Sequence, residues 1–209
     1  MKKFGSSQSV KRLEDARLLT GQGRYIDDIA PKDALVGFVL RSPVAHGTIT
    51  TLDLDAARAA DGVHVIITGA DIEAAGYLNA MRYVTVKNGD GSDAAAPRRP
   101  VLTTSRVRFV GEAVAFIVAD SLAQARDAAE LIELDIDDLP VKLDLSAGGA
   151  ALHNEAPDNV AYNWEHGDEA VVKTAMAQAK HRVSLRIEDN RIIVNSIEPR
   201  GCFAEPQGE

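Results

Sequence analysis

Cysteine is almost absent from this chain of 209 residues, in which Cys202 is the single example. One thiol cannot form an internal disulfide, so a reducing, cytoplasmic compartment is the default expectation. The first residues, MKKFGSSQ, turn polar before an apolar stretch can form, which argues against a secretory signal. No run of about 18 apolar residues is present, so the sequence predicts no membrane-spanning helix.

The chain also lacks the patterns typical of several kinds of binding site. It has 23 basic and 31 acidic residues, a formal net charge of −8, and no long Lys/Arg cluster to neutralise phosphates, so nucleic acid is not an expected partner. The five histidines show no zinc-ligand spacing, and the P-loop and Gly-x-Ser-x-Gly signatures are missing. We therefore predict no dedicated metal site.

The hydrophobic content of 45% is enough for a real core, in one large or two small domains. Residues 1–33 have no apolar period, which predicts an extended arm. Gly21-Gln22-Gly23 is a weak match to a dinucleotide fingerprint, because no apolar strand precedes it and the third glycine is absent. A turn followed by a short extended piece, Arg24 to Asp28, is the preferred interpretation.

Short apolar runs then alternate with alanine-rich segments over residues 34–145, which predicts an α/β domain with helices packed on a mixed sheet. Asp55 is the expected cap of one helix, Asp61-Gly62 its exit, and Ser121 with Gln124 the expected capping box of another. The predicted strands are 35–40, 49–54, 63–68, 107–119 and 134–136, and the predicted helices are 56–60, 71–75 and 122–132. The order strand, capped helix, strand near the end predicts a crossover unit.

Two segments are predicted to be irregular. Residues 88–99 (NGDGSDAAAPRR) form the clearest loop; a calcium site there is disfavoured because Asp93 replaces the sixth-position glycine and Arg99 the twelfth-position glutamate. Residues 138–157 look like a linker interrupted by prolines and glycines.

A second unit is predicted from residue 158 to residue 209. Asp168 and Glu169 should begin a helix that runs to Lys180. Residues 181–188 and 191–197 alternate, with Asp189-Asn190 between them, which predicts a β-hairpin. Its apolar face, formed by Val183, Leu185 and Ile187, needs a cover, and a homodimer through this hairpin would supply one.

Five segments resemble, in order, the amino-terminal part of the molybdenum-carrying large subunit of the xanthine dehydrogenase, aldehyde oxidase and aerobic carbon monoxide dehydrogenase family. They are Arg12 to Asp28, Leu40 to His46, Gly62 to Asp71, Arg108 to Ala119 and Ile197 to Ala204. The resemblance implies an α/β hammerhead domain over residues 34–145 and the start of a truncated molybdopterin-binding domain over residues 158–209. It also implies that the family's glycine-rich cofactor loops and catalytic glutamate lie beyond this sequence.

The resemblance further implies what the complete enzyme does. It would oxidise an aldehyde, an N-heterocycle or CO with a molybdopterin-type molybdenum cofactor, and pass electrons to iron–sulfur clusters and FAD in partner subunits or domains. The expected partners are the remainder of the large subunit and the FAD and iron–sulfur subunits. No cofactor is expected in this chain alone, which should be inactive. The alternative is a non-catalytic hammerhead subunit or fragment with an assembly role.

No residue is assigned a catalytic or metal-ligating role, and cofactor-binding residues are left undetermined. Glu112 is either a proton-transfer group in an apolar strand or a structural carboxylate paired with Arg108. Four further residues have alternative interpretations. Glu198 and Arg200 are residues of a structural ion pair, of a subunit contact or of a cofactor contact. His46, which with Arg41 flanks Pro43, is a turn or core histidine or a base, and Cys202 is a small buried hydrophobe, a nucleophile or a metal ligand.

Overall fold

The computed structural model describes residues 11–81, 86–189, 192–196 and 198–206. It divides into two compact units, Leu35–Ser184 and the combination of Met1–Ala34 with Leu185–Glu209. The elements in chain order are α1 (Asp15–Leu19), α2 (Ile26–Ile29), β1 (Val36–Arg41), β2 (Gly47–Asp53), α3 (Asp55–Arg58), β3 (Val63–Thr68), α4 (Gly69–Ala74), β4 (Arg106–Val107), β5 (Ala113–Ala119), α5 (Leu122–Glu130), β6 (Glu133–Asp138) and α6 (Glu169–Gln178).

The larger unit is built on two three-stranded sheets, and every pairing in them is antiparallel. The first sheet has the order β1-β5-β3 and the second has the order β4-β2-β6. The α/β class with helices packed on sheet is confirmed. The sheet is divided in two, however, because β2 turns away from β1 and pairs with β6 instead.

The core lies between the first sheet and α5. Ile117, at the centre of β5, is fully buried and stands in register with Phe38 on β1 and Ile66 on β3. The buried face of α5 is made of three alanines, Ala125, Ala128 and Ala129. Since these side chains are small, the helix can approach the sheet closely, and the branched side chains of the strands fill the space between them.

Most of the local predictions for this unit are confirmed. The β3 bounds are the predicted ones, β6 and α6 lie where alternation and capping placed them, and Ser121 caps α5 by accepting a hydrogen bond from Gln124 N at 3.3 Å. The Ser121 hydroxyl also donates to Gln124 Oε1 at 2.6 Å. The loop at 88–99 contains no helix or strand beyond one isolated bridge at Asp93.

Three predictions for the larger unit are wrong in detail. The apolar run Val107 to Ala119 is two strands, because Gly111 adopts a φ of +88° and turns the chain between β4 and β5. The crossover through α5 connects strands of different sheets. Asp55 is the first residue of α3 and makes no cap; Asp53 Oδ1 instead accepts a hydrogen bond from Asp55 N at 2.9 Å.

The smaller unit differs more from expectation. Two short helices, α1 and α2, interrupt the arm, so the extended piece predicted at Arg24 to Asp28 is wrong. The described residues 181–189 and 192–196 contain no strand, so the predicted hairpin is not formed there; Asn190 of its predicted turn and Arg191 and Ile197 of its predicted second strand lie outside the described residues. A two-stranded ribbon is marginal without a covering layer, and Leu185 is 78% and Ile193 91% exposed. Among the described residues, no helix has the length and apolarity to cross a lipid bilayer.

Candidate functional site

Glu112, a candidate residue from the sequence, lies just after the turn between β4 and β5. Its side chain is only 4% exposed, and its Oε2 accepts a hydrogen bond from the backbone N–H of Arg108 at 2.5 Å. The backbone of the turn is fixed as well, since Ser42 N donates to Glu112 O and Gly111 N donates to Ser42 O, both at 2.8 Å. The carboxylate therefore closes a turn.

The predicted pairing of Glu112 with the Arg108 guanidinium is wrong. That guanidinium is directed to carbonyl oxygens, with Nε donating to Leu152 O at 2.9 Å and Nη1 to Arg106 O at 3.3 Å. A hydrogen bond from a backbone amide to a carboxylate is charge-assisted and strong, so it can hold the Glu112 side chain in place. The geometry supports the structural interpretation of Glu112, with Arg108 as partner through its main chain.

His46 is a core histidine. Its side chain is 3% exposed, and its Nδ1 lies 2.7 Å from Pro140 O. Because a carbonyl oxygen only accepts hydrogen bonds, Nδ1 carries the proton, and Nε2 finds no hydrogen-bond partner among the described residues. Burial, with Arg108 as the next cause, holds the pKa of the nearby His153 below its usual value.

Glu198 and Arg200 lie in the smaller unit, opposite the second half of the arm. Glu198 Oε1 accepts a hydrogen bond from the backbone N–H of Ile26 at 2.9 Å. This contact joins two of the segments that carry the family resemblance. A cleft of about 410 Å³ lies between them, lined by Tyr25, Ile26, Asp27, Asp28, Glu198, Pro199, Arg200 and Gly201.

The predicted roles of Arg200 and Cys202 have different outcomes. Among the described residues, Arg200 forms no ion pair. Cys202 is exposed, and its prediction as a small buried hydrophobe is wrong. The reason is that the described residues 198–206 are exposed throughout, so no core reaches this thiol.

The cleft beside Glu198 and a second one beside Glu165 do not fit a molybdopterin cofactor. The cofactor carries a phosphate, which calls for cations or a cluster of backbone N–H groups. The cleft beside Glu198 has three carboxylates, on Asp27, Asp28 and Glu198, against one arginine. A second cleft, of about 650 Å³, has Asp90 and Glu165 in its lining and no basic residue. The described residues also hold no cluster of three potential metal ligands.

One cleft was missed by the sequence analysis. It lies against β1, β3 and β5, has a volume of about 450 Å³ and is mainly apolar, with Arg41 and Arg99 in its lining. Arg99 lies at the end of the loop that was predicted to be surface structure. The side-chain alternation along β5 was the available signal, because residues between the core positions must face the other side of the sheet.

Comparison with known families identifies the two parts of the chain. A family model described as "Aldehyde oxidase and xanthine dehydrogenase, a/b hammerhead domain" matches residues 20–140. The chain belongs to this family. A second model, described as a molybdopterin cofactor-binding domain, matches residues 152–209 of the same hammerhead-containing chain.

Two relatives of this molybdenum hydroxylase family member are named as large subunits or large chains. The large subunit of nicotine 6-hydroxylase from Paenarthrobacter nicotinovorans is 39% identical over 94% of the chain and 24% of its own length. The carbon monoxide dehydrogenase large chain from Hydrogenophaga pseudoflava is 30% identical over 91% of the chain and 24% of its own length. A solved structure of Cu,Mo-CO dehydrogenase matches with a TM-score of 0.64 and 29% identity, over 84% of the chain and 23% of that chain.

These matches confirm the resemblance. The chain spans about a quarter of the length of the curated relatives it matches. Those relatives are named as the large subunit or large chain of their enzymes, which makes them parts of multi-subunit proteins.

Proposed function

We propose that this chain is the amino-terminal portion of a molybdenum hydroxylase large subunit, and that it is inactive alone. In this proposal residues 1–33 are an arm, residues 34–145 the hammerhead domain, and residues 158–209 the start of the molybdopterin-binding domain. The complete enzyme oxidises an aldehyde, an N-heterocycle or CO. No catalytic or metal-ligating residue lies in this chain, and the molybdenum cofactor is held by the remainder of the large subunit.

The observation that carries the proposal is the ordered match to a hammerhead domain and then to a molybdopterin-binding domain. The bond from Ile26 N to Glu198 Oε1 supports it, because it connects the arm with the segment that the second family model matches. The acidic linings of the clefts beside Glu198 and Glu165 support inactivity of the chain alone, since carboxylates outnumber basic side chains in both and would repel the cofactor phosphate.

The proposed partners are the remainder of the large subunit and subunits or domains with FAD and iron–sulfur clusters, in the cytoplasm. The exposed apolar side chains of Leu185, Ile187 and Ile192 to Val194 support a partner that packs on this segment, because so many exposed apolar side chains are unusual for a free monomer. A homodimer through this segment is the second possible cover.

A purification from the native source tests the proposal. We expect stoichiometric molybdenum by elemental analysis, with hydroxylase activity and co-purifying polypeptide that contains the glycine-rich loops. The isolated 209-residue chain should contain no molybdenum and oxidise neither aldehydes, N-heterocycles nor CO. Turnover by the isolated chain would contradict the proposal.

A second candidate function is a non-catalytic assembly subunit. The observation that favours it is the combination of exposed apolar side chains at 185–194 with clefts that do not suit the cofactor phosphate. A metal-free homodimer in the native purification, without a larger molybdenum-containing partner, would support this function and exclude the enzyme subunit.

A further inference from the structure

The apolar cleft of the hammerhead domain lies on the side of the first sheet that faces away from α5. Phe116 on β5 is in register with Val39 on β1 and with Ile67 on β3, and all three line the cleft. Their neighbours one position along, among them Ile117, point into the core. The floor of the cleft is therefore one continuous apolar surface from three strands.

Glycine makes this floor possible at one position. The ring of Phe116 lies against Gly37 of β1, so closely that a β-carbon at residue 37 would overlap its Cζ, with Cε2 only 2.7 Å away. Any other residue at position 37 would force the Phe116 ring out of its place in the floor of the cleft.

Two arginines supply the charge at the cleft. Arg41 is fixed by one bond, from Nη1 to Gly111 O at 2.8 Å, which leaves other N–H groups of its guanidinium available. The guanidinium carbon of Arg99 lies 5.2 Å from the centroid of the Phe109 ring, a cation–π contact. Glu112 also lines the cleft, but its Oε2 is occupied by Arg108 N. Two cations and one carboxylate leave the lining with a net positive charge.

We propose that this cleft binds a small amphipathic carboxylate. An aromatic or branched aliphatic group lies on Phe116, Val39 and Ile67, and the carboxylate is bound by Arg41 and Arg99. A volume of about 450 Å³ accommodates a two-ring molecule, and an apolar pocket with a few polar groups is the usual form of a small-molecule site. The site is in the hammerhead domain and does not depend on molybdenum chemistry.

A methyl NMR titration of the 209-residue chain with 1-naphthoate tests the proposal. Saturable shifts are expected for the methyl groups of Val39, Ile67 and Ile72, which line the cleft. The methyl groups of Ile187 and Ile193, which are exposed elsewhere, should not shift in parallel. The uncharged analogue 1-naphthalenemethanol should bind about tenfold more weakly, because it cannot accept charge-assisted hydrogen bonds from the arginines.

Three variants locate the site. Arg41→Gln and Arg99→Gln should each weaken 1-naphthoate binding by about tenfold. Arg126→Gln, which removes an exposed arginine of α5, is the matched control and should leave binding unchanged. Ala113→Leu should block the cleft, since Ala113 is part of its lining.

The proposal is overturned if 1-naphthoate gives no saturable shift at the cleft, or if the alcohol binds as well as the carboxylate. It is also overturned if both arginine variants bind like Arg126→Gln. The two arginines are exposed and lie outside the core, so their variants should fold even if Ala113→Leu does not.

Discussion

Glu198 and Ile26 are 172 residues apart in the chain, yet the carboxylate of one accepts a hydrogen bond from the backbone N–H of the other at 2.9 Å. Ile26 is the first residue of α2, so the bond occupies one of the N–H groups that a helix leaves free at its start. Gly201 lies close behind, where an added β-carbon would be 3.3 Å from Ile26 Cγ2. The contact fixes the arm against the segment Glu198 to Gly201.

Replacing Glu198 should release the arm. In Glu198→Ala the Ile26 amide should exchange with solvent about fivefold faster, because an exposed hydrogen bond of this kind stabilises by about 1 kcal/mol. Hydrogen exchange followed by NMR measures the effect. Glu198→Gln retains an acceptor oxygen and should show a smaller increase; equal exchange rates in all three proteins would exclude the bond.

Ile117 should be among the most sensitive positions in the core. Ile117→Ala should lower the free energy of unfolding by about 3 kcal/mol, because it removes a fully buried side chain between two strands and α5. Ile117→Val should cost about 1 kcal/mol. Urea denaturation followed by circular dichroism gives both values.

The matched control for Ile117 is Ile193→Ala, which makes the same chemical change at a side chain that is 91% exposed. Its effect should stay within about 0.5 kcal/mol. Similar losses at the two positions would mean that the core is not where the structure places it.

His153 should make stability depend on pH. Its pKa is lowered in the folded chain, chiefly by burial and then by Arg108, so below about pH 6.5 the unfolded chain binds a proton that the folded chain does not. The free energy of unfolding should therefore fall as the pH drops from 7.5 to 5.5. His153→Asn should flatten this dependence, whereas His181→Asn, at an exposed histidine, should not.

A charged residue in place of Leu185 tests whether a second copy of the chain packs on the exposed apolar segment 185–194. If the 209-residue chain forms a dimer there, Leu185→Asp should return it to a monomer, because a carboxylate cannot be buried without a partner. Sedimentation velocity measures the change. Val172→Asp, on the exposed face of α6, is the control; an unchanged sedimentation coefficient for both variants would place any dimer interface elsewhere.

The sequence predicted the elements whose signals are local. The bounds of β3 follow from its β-branched residues between Gly62 and Gly69, and α5 follows from the Ser121 cap and its buried alanines. The division into two sheets could not be predicted in this way, because it depends on the pairing of β1 with β5 and of β2 with β6, which are distant in the chain. Hydrophobic alternation indicates which face of a strand is buried, but it does not indicate which other strand lies beside it in the sheet.

The candidate site was predicted less well, for the same reason. Glu112 and Glu198 were both singled out from sequence, but their partners are backbone N–H groups, which every residue carries and no pattern reveals. The cleft beside Phe116 depends on Arg41 and Arg99, which are far apart in the chain and line the same cleft only in the folded protein.

The pairing of distant strands has a consequence for synthesis on the ribosome. β1 pairs with β5, which is synthesised much later. The longest pairing of β2 is with β6, a strand that ends at Asp138. Neither sheet can form completely until β5 and β6 have left the ribosomal exit tunnel. For most of the domain's translation, the backbone N–H and C=O groups of β1 and β2 therefore lack their main pairing strands. During that interval the nascent chain is the form most in need of a chaperone.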